Sequence, residues 1–175
     1  MKILLVGGSK SGKSHLAQSL IKKLSNGRSM VYLATMEPVD SEDDERILRH
    51  IEDRDGWGFS TVEKGRDIDR AVIPPEASVL LDSVTALLAN EMFTGSINRS
   101  AAQKTLDELK KLSDSCENIV CVADEVFRDG SVYEELTEEY RRSLAVVLRG
   151  LSVDFDVVSE VVSGMPKLFK GELPL

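Results

Sequence analysis

Two groups of residues in this chain could do phosphate chemistry. The first is Gly7-Gly8-Ser9-Lys10-Ser11-Gly12-Lys13-Ser14, which has the spacing G-x-x-x-x-G-K-S/T. Glycines let the backbone curl so that successive N–H groups converge, and a following helix N-terminus adds positive potential. Such a loop cradles phosphates. Lys13 would reach the terminal phosphates and Ser14 would ligate Mg²⁺. A Gly/Ser turn that merely matches the pattern is the alternative, and the flanks decide against it. Ile3-Leu4-Leu5-Val6 reads as a strand, and Leu16, Ala17, Leu20, Ile21 and Leu24 recur at helical spacing. The second group is His50, with Arg46 and Arg54 one helical turn away on either side. A neutral imidazole nitrogen can attack phosphorus, and flanking cations would hold phosphate oxygens and stabilise developing charge. The same cations disfavour imidazolium and keep the ring nucleophilic. The pattern equally suits a surface histidine in a helix salt-bridged through Glu45, Glu52 and Asp53. The residues alone leave both readings open. His15, just beyond the phosphate loop, reads as a packing or solvent-exposed residue.

Those groups must be positioned by regular elements, and the chain supplies an alternation of them. After the first helix Asn26-Gly27 makes a break, and Met30 to Ala34 reads as a buried strand, followed by a loop from Thr35. Asp40 or Ser41 can cap a helix running to about Asp53, with Ile47, Leu48 and Ile51 on one face. Phe59 to Glu63 suits a short strand. Val79-Leu80-Leu81-Asp82 is a strand ending in a carboxylate, expected beside the phosphate-loop strand, where Asp82 would hold Mg²⁺ or its water next to Ser14. Helices are expected at Thr85 to Phe93 and Ser100 to Ser113, and Asn118 to Ala123 is another buried strand, followed by Asp124-Glu125. Tyr133, Leu136, Tyr140, Leu144, Val147 and Leu151 step by three and four along a long amphipathic helix. Asp156 to Val162 is expected as the last strand, and Ser163-Gly164-Met165-Pro166 as a turn into a polar tail. The expected architecture is one α/β domain over residues 1–175, with a mostly parallel sheet covered by helices on both faces. Ligand belongs at the carboxyl ends of the strands, which carry the phosphate loop, Thr35, Asp82 and Asp124-Glu125.

Composition narrows the partners. The chain has 175 residues, 42% of them hydrophobic and 30% charged, with a net charge of −8 and a pI near 4.9. With no basic run, nucleic acid is excluded as an expected partner, and a nucleotide site must build its field locally from Lys10, Lys13 and helix ends. Cys116 and Cys121 have neither a redox nor a zinc spacing, so buried thiols in a reducing cytoplasmic setting are expected. No signal-like segment precedes the first strand, and no apolar stretch approaches membrane-spanning length. The guanine-reading N-K-x-D is absent, which directs attention to small-molecule kinases.

Taken in order, the motifs become more specific. They are the early G-G-S-K-S-G-K-S, then Y-L-A-T, R-I-L-R-H-I-E-D-R, S-T-V-E, L-L-D-S-V-T-A-L-L-A-N, D-E-V and V-V-S-G-M-P-K-L-F-K. The ordered set resembles the bifunctional adenosylcobinamide kinase / adenosylcobinamide-phosphate guanylyltransferase family of cobalamin biosynthesis, over nearly the whole chain. The resemblance implies two reactions. A nucleoside triphosphate, GTP or ATP, with Mg²⁺ phosphorylates the aminopropanol hydroxyl of the corrinoid. A histidine then takes GMP from GTP and passes it to the corrinoid phosphate. It places the nucleophile on His50 and implies a homotrimer with sites near subunit boundaries. Nucleotide contacts are expected from Gly7 through Ser14 and from Thr35, Arg46, Arg54, Glu63 and Asp82, with Ser14 and Asp82 on the metal. The family's N-E-V-G-x-G-I-V-P is replaced here by Asp124-Glu125-Val126-Phe127-Arg128-Asp129-Gly130. Two other readings stand beside this one: a P-loop kinase of another small alcohol without guanylylation, and a nucleotide-dependent binding module with degenerate chemistry.

Overall fold

The structure, a computed structural model, describes residues 1–38, 48, 51, 52 and 54–174. Seven strands form one sheet: β1 Lys2–Gly7, β2 Met30–Ala34, β3 Phe59–Glu63, β4 Ser78–Asp82, β5 Asn118–Asp124, β6 Val157–Val162 and β7 Met165–Lys170. Their order is β3-β2-β4-β5-β1-β6-β7, with every pair parallel except β6–β7. Among the described residues, the helices with full bounds are α1 Lys13–Ser25, α2 Val84–Phe93, α3 Ala101–Ser115 and α4 Glu135–Asp154, with a 3-10 turn at Ile68–Arg70.

The central strands read as continuous apolar runs because both of their faces are buried. Leu4, Leu81 and Cys121 join one core with Leu88 of α2, Leu109 of α3 and Leu151 of α4. Their neighbours Ile3, Leu5, Leu80, Val120 and Val122 join the opposite core with Ala17, Leu20 and Ile21 of α1. Alternation along each strand thus sends successive side chains to different helix layers. Cys121 is fully buried, and burial pushes its thiol well above the ordinary range.

Three expectations change. β4 is not the neighbour of β1: β5 lies between them, and Asp82 is two strands from the phosphate-loop strand. The segment after Val162 is not a polar tail but β7, joined to β6 by the two-residue turn Ser163-Gly164, both residues at positive φ (50 and 79). Positive φ at both positions is the hairpin geometry whose twist matches the flanking strands. Tyr133 precedes α4, and Tyr133 and Leu136 are exposed, so the buried stripe starts at Tyr140. The expected helix before Asp53 lies mostly outside the described residues. Leu48, Ile51 and Glu52 are helical, and Leu48 and Ile51 are exposed.

α2 and α3 are tied to the 3-10 turn by one ion cluster. Lys104 lies 2.7 Å from Asp67, 2.5 Å from Glu91 and 3.4 Å from Glu108, and Glu108 accepts the Ile68 N–H. The ammonium occupies the middle of the three carboxylates, so the group is an ion-pair network rather than a cation site. Burial holds the Glu108 carboxyl above its ordinary range, against the pull of Lys104. Lys104→Met is therefore expected to lose roughly 2 kcal/mol, less than a fully buried pair would cost because water reaches Lys104. Without the lysine, Asp67 and Glu108 lose the cation that pulls their carboxyl pKa values down. The deficit should be larger in thermal melts at pH 7.5 than at pH 5, because a raised carboxylate pKa destabilises the folded state above it.

Candidate nucleotide site

The chain leaves β1 at Gly7 and returns into α1 through a loop that leaves no room for side chains at two points. A Cβ on Gly7 would meet the Val161 carbonyl oxygen at 2.6 Å. Gly12 has φ +89, and a Cβ there would lie 3.1 Å from Gly164 Cα. Gly164 donates its N–H to the Ser11 carbonyl at 2.7 Å, so the β6–β7 hairpin braces the loop from outside. Within the loop the Ser11 N–H donates to the Gly8 carbonyl at 3.2 Å, and Lys10 takes a left-handed φ of 58. Gly8, Ser9 and Lys10 are exposed at the mouth. Among the described residues the buried Ser11 hydroxyl has no hydrogen-bond partner, a polar group left over inside a loop built to receive oxygens.

Lys13 is buried and curls back over the loop. Its ammonium donates to the Gly8 carbonyl at 3.1 Å and pairs with Asp124 Oδ1 at 2.7 Å. Asp124 ends β5, the strand directly beside β1. Its backbone N–H donates to Thr85 Oγ1 at 2.9 Å, and Thr85 donates back to Oδ2 at 3.4 Å. Burial, with the Asp124 charge nearby, holds the Tyr140 phenol well above its ordinary range, so Tyr140 stays protonated and donates to the Thr85 carbonyl at 2.9 Å. Ser14 donates to Asp82 Oδ2 at 3.2 Å, although two strand positions separate β4 from β1. Neighbouring ligands of an octahedral Mg²⁺ sit about 2.9 Å apart, so this oxygen pair fits Mg²⁺ with one of them direct and the other direct or through water.

The other expected residues are distributed unevenly. Thr35 is fully buried, and its hydroxyl is taken up by both backbone groups of Ser83 at 2.7 Å, which fixes the end of β4. Glu63 is exposed at the end of β3, with β2, β4 and β5 between it and β1. Arg54 stacks its guanidinium 4.3 Å from the Tyr32 ring centroid, and Tyr32 donates its hydroxyl to Asp82 Oδ2 at 3.0 Å. The turn carrying Arg54 is fastened to α1. Trp57 meets the His15 ring edge-on at 5.7 Å, and Lys22 lies over it at 5.2 Å. Arg46 and His50 lie outside the described residues.

Two residues whose part the sequence did not specify stand in the site. Tyr32 reads there only as part of a buried strand. Asp124 reads as an acid at the ligand-bearing end of its strand, with no partner named, where the family pattern has Asn. Its pairing with Lys13 opposes an incoming polyphosphate, and Asp124 is 41% exposed. Asp124→Asn is therefore expected to tighten GTP binding about threefold to fivefold, the size of a partly solvated ion pair. Calorimetric titration of GTP into both proteins checks this.

A mostly parallel, doubly covered sheet with a phosphate loop after β1 and carboxylates at its carboxyl edge defines the P-loop α/β fold. The fold matches a solved ATPase domain with a TM-score of 0.52 at 14% identity, covering 91% of this chain and 68% of that one. The family model described as cobinamide kinase / cobinamide phosphate guanyltransferase matches residues 3–168, and the chain belongs to that family of transferases. It is similar to the bifunctional adenosylcobalamin biosynthesis protein CobU of Salmonella typhimurium LT2, 29% identical over 94% of this chain and 97% of that protein. It is also similar to the bifunctional adenosylcobalamin biosynthesis protein CobP of Pseudomonas aeruginosa PAO1, 27% identical over 98% and 99%.

Proposed function

We propose that this chain, as one domain, catalyses both reactions of its family on adenosylcobinamide, and does so through a covalent GMP on His50. In the first reaction the aminopropanol oxygen attacks the γ-phosphorus of GTP or ATP, and the nucleoside diphosphate leaves. Lys13 and the loop amides neutralise the transferring phosphoryl oxygens. Ser14 and Asp82 would hold Mg²⁺, which would supply charge neutralisation to the polyphosphate. In the second, a His50 nitrogen attacks the α-phosphorus of GTP, pyrophosphate leaves, and the phosphate of adenosylcobinamide phosphate then displaces the histidine. The product is adenosylcobinamide-GDP. Arg46 and Arg54 would flank the phosphorus under attack. The α-phosphorus must reach His50 while the γ-phosphorus must reach the acceptor hydroxyl, so the nucleotide or the His50 segment shifts between steps.

One observation carries this reading. Arg54, four residues after His50, is seated on Tyr32, and Tyr32 is bonded to the Asp82 carboxylate that also accepts from Ser14. Arg54 is therefore tied through Tyr32 and Asp82 to Ser14 of the phosphate loop, which supports the reading. A cytoplasmic homotrimer completes the proposal, supported by the family resemblance. Incubation with adenosylcobinamide, GTP and Mg²⁺ tests it: adenosylcobinamide phosphate should appear first and the GDP derivative second. Accumulation of the phosphate alone would reduce the protein to a kinase. Nucleotide binding without corrinoid turnover would make it a binding module.

A further inference from the structure

Tyr32 belongs to the core by burial, being 3% exposed, but both ends of its side chain engage the site. β2 pairs with β4 so that Tyr32 faces Leu80, and Asp82 lies two residues further along β4 on the same face. Such diagonal neighbours are within reach of an aromatic side chain. That face is the one covered by α1, whose first turn carries Ser14. Tyr32, Asp82 and Ser14 therefore meet because of strand register and helix placement.

We infer that Tyr32 is a positioning residue that joins the two half-sites, its hydroxyl orienting the Asp82 carboxylate and its ring seating Arg54. The inference rests on the two-part site proposed above. Asp82 Oδ2 accepts from both Ser14 (3.2 Å) and Tyr32 (3.0 Å). When the Ser14 oxygen turns to a cation, its hydrogen bond to Asp82 is given up, and the Tyr32 O–H keeps the carboxylate in register. The guanidinium 4.3 Å from the ring centroid draws electron density from the phenol and strengthens that O–H as a donor. In the other direction, a fixed aromatic face gives Arg54 a defined position beside the loop, which a freely rotating arginine lacks. Phe59 packs edge-on against the same ring at 6.3 Å and holds its plane.

Two variants separate the ends. Tyr32→Phe keeps the ring and loses the hydroxyl, and Tyr32→Leu loses both. The first readout needs no turnover: Mn²⁺ titrated into the protein–GDP complex and followed by electron paramagnetic resonance. Tyr32→Phe should bind Mn²⁺ about tenfold more weakly, as expected for removing the residue that orients a metal ligand, with an unchanged melting temperature. The second readout is the emission of Trp57, the one tryptophan, which lies in the same turn as Arg54. It should match wild type in Tyr32→Phe and shift in Tyr32→Leu. GMP labelling should fall several-fold further in Tyr32→Leu than in Tyr32→Phe. If Tyr32→Leu fails to fold, Arg54→Gln removes the cation from the other side of the contact and should shift Trp57 in the same way. Unchanged Mn²⁺ affinity in Tyr32→Phe overturns the orienting role, and wild-type Trp57 emission without the ring or the cation overturns the seating role. A wild-type protein that takes no GMP label would defeat the guanylylation reading while both of these readouts still report on Tyr32.

Discussion

Lys13→Ala is expected to slow transfer of the γ-phosphoryl group by about 10²–10³-fold, the usual cost of removing one preorganised donor from a developing oxyanion. Lys13 is the buried cation inside the loop, 8% exposed, with its ammonium already curled over Gly8. A substrate phosphate has only to displace the Gly8 carbonyl and Asp124 from an ammonium that is already in place. Its loss acts twice, because the carboxylate left behind at Asp124 then faces the polyphosphate without a counter-charge. The variant should therefore show weaker GTP binding as well as a lower rate, and Asp124→Asn in the same background should recover part of the binding but little of the rate. Lys13→Arg should not rescue, since a planar fork does not fit where a single point charge is held. Single-turnover transfer from γ-labelled nucleotide to adenosylcobinamide measures the rate, and calorimetry measures the binding.

His50→Ala is expected to remove the second reaction and spare the first. If the imidazole forms the bond to the α-phosphorus, its removal takes away the nucleophile, and transfer of GMP should fall at least 10³-fold. Phosphorylation of adenosylcobinamide, which the proposal assigns to Lys13 and the loop, should stay within about threefold of wild type. Formation of the GMP adduct should also weaken as the buffer falls below about pH 6.5, where a histidine becomes protonated and loses its nucleophilic lone pair.

Much of this architecture was legible in the sequence because it is written in local patterns. The loop Gly7–Ser14 carries its own geometry, and uninterrupted apolar runs such as Ile119 to Ala123 specify strands buried on both faces. What was not legible is non-local. Nothing local in Val79–Asp82 says that the strand at Asn118 will insert between it and β1, and nothing near Lys13 names a partner as far along the chain as Asp124. The hairpin β6–β7 was obscured by Pro166 and by the charges Lys167 and Lys170. Yet proline is tolerated on an edge strand, and Ser163-Gly164 is a two-residue turn signal. Tyr32 was hidden by being apolar enough to pass as core; a phenol in an otherwise aliphatic strand is the cue, since a buried hydroxyl must find a partner. Thr35 shows the opposite case, a polar residue at a strand end that serves the backbone of Ser83.

The most direct measurement is peptide mass spectrometry of the protein after incubation with GTP and Mg²⁺. The expected result is one GMP on the peptide containing His50, lost on brief acid treatment and discharged by adenosylcobinamide phosphate. An acid-stable adduct, a GMP on any other residue, or a protein that converts adenosylcobinamide phosphate to its GDP derivative without ever carrying the label would contradict the covalent route through His50.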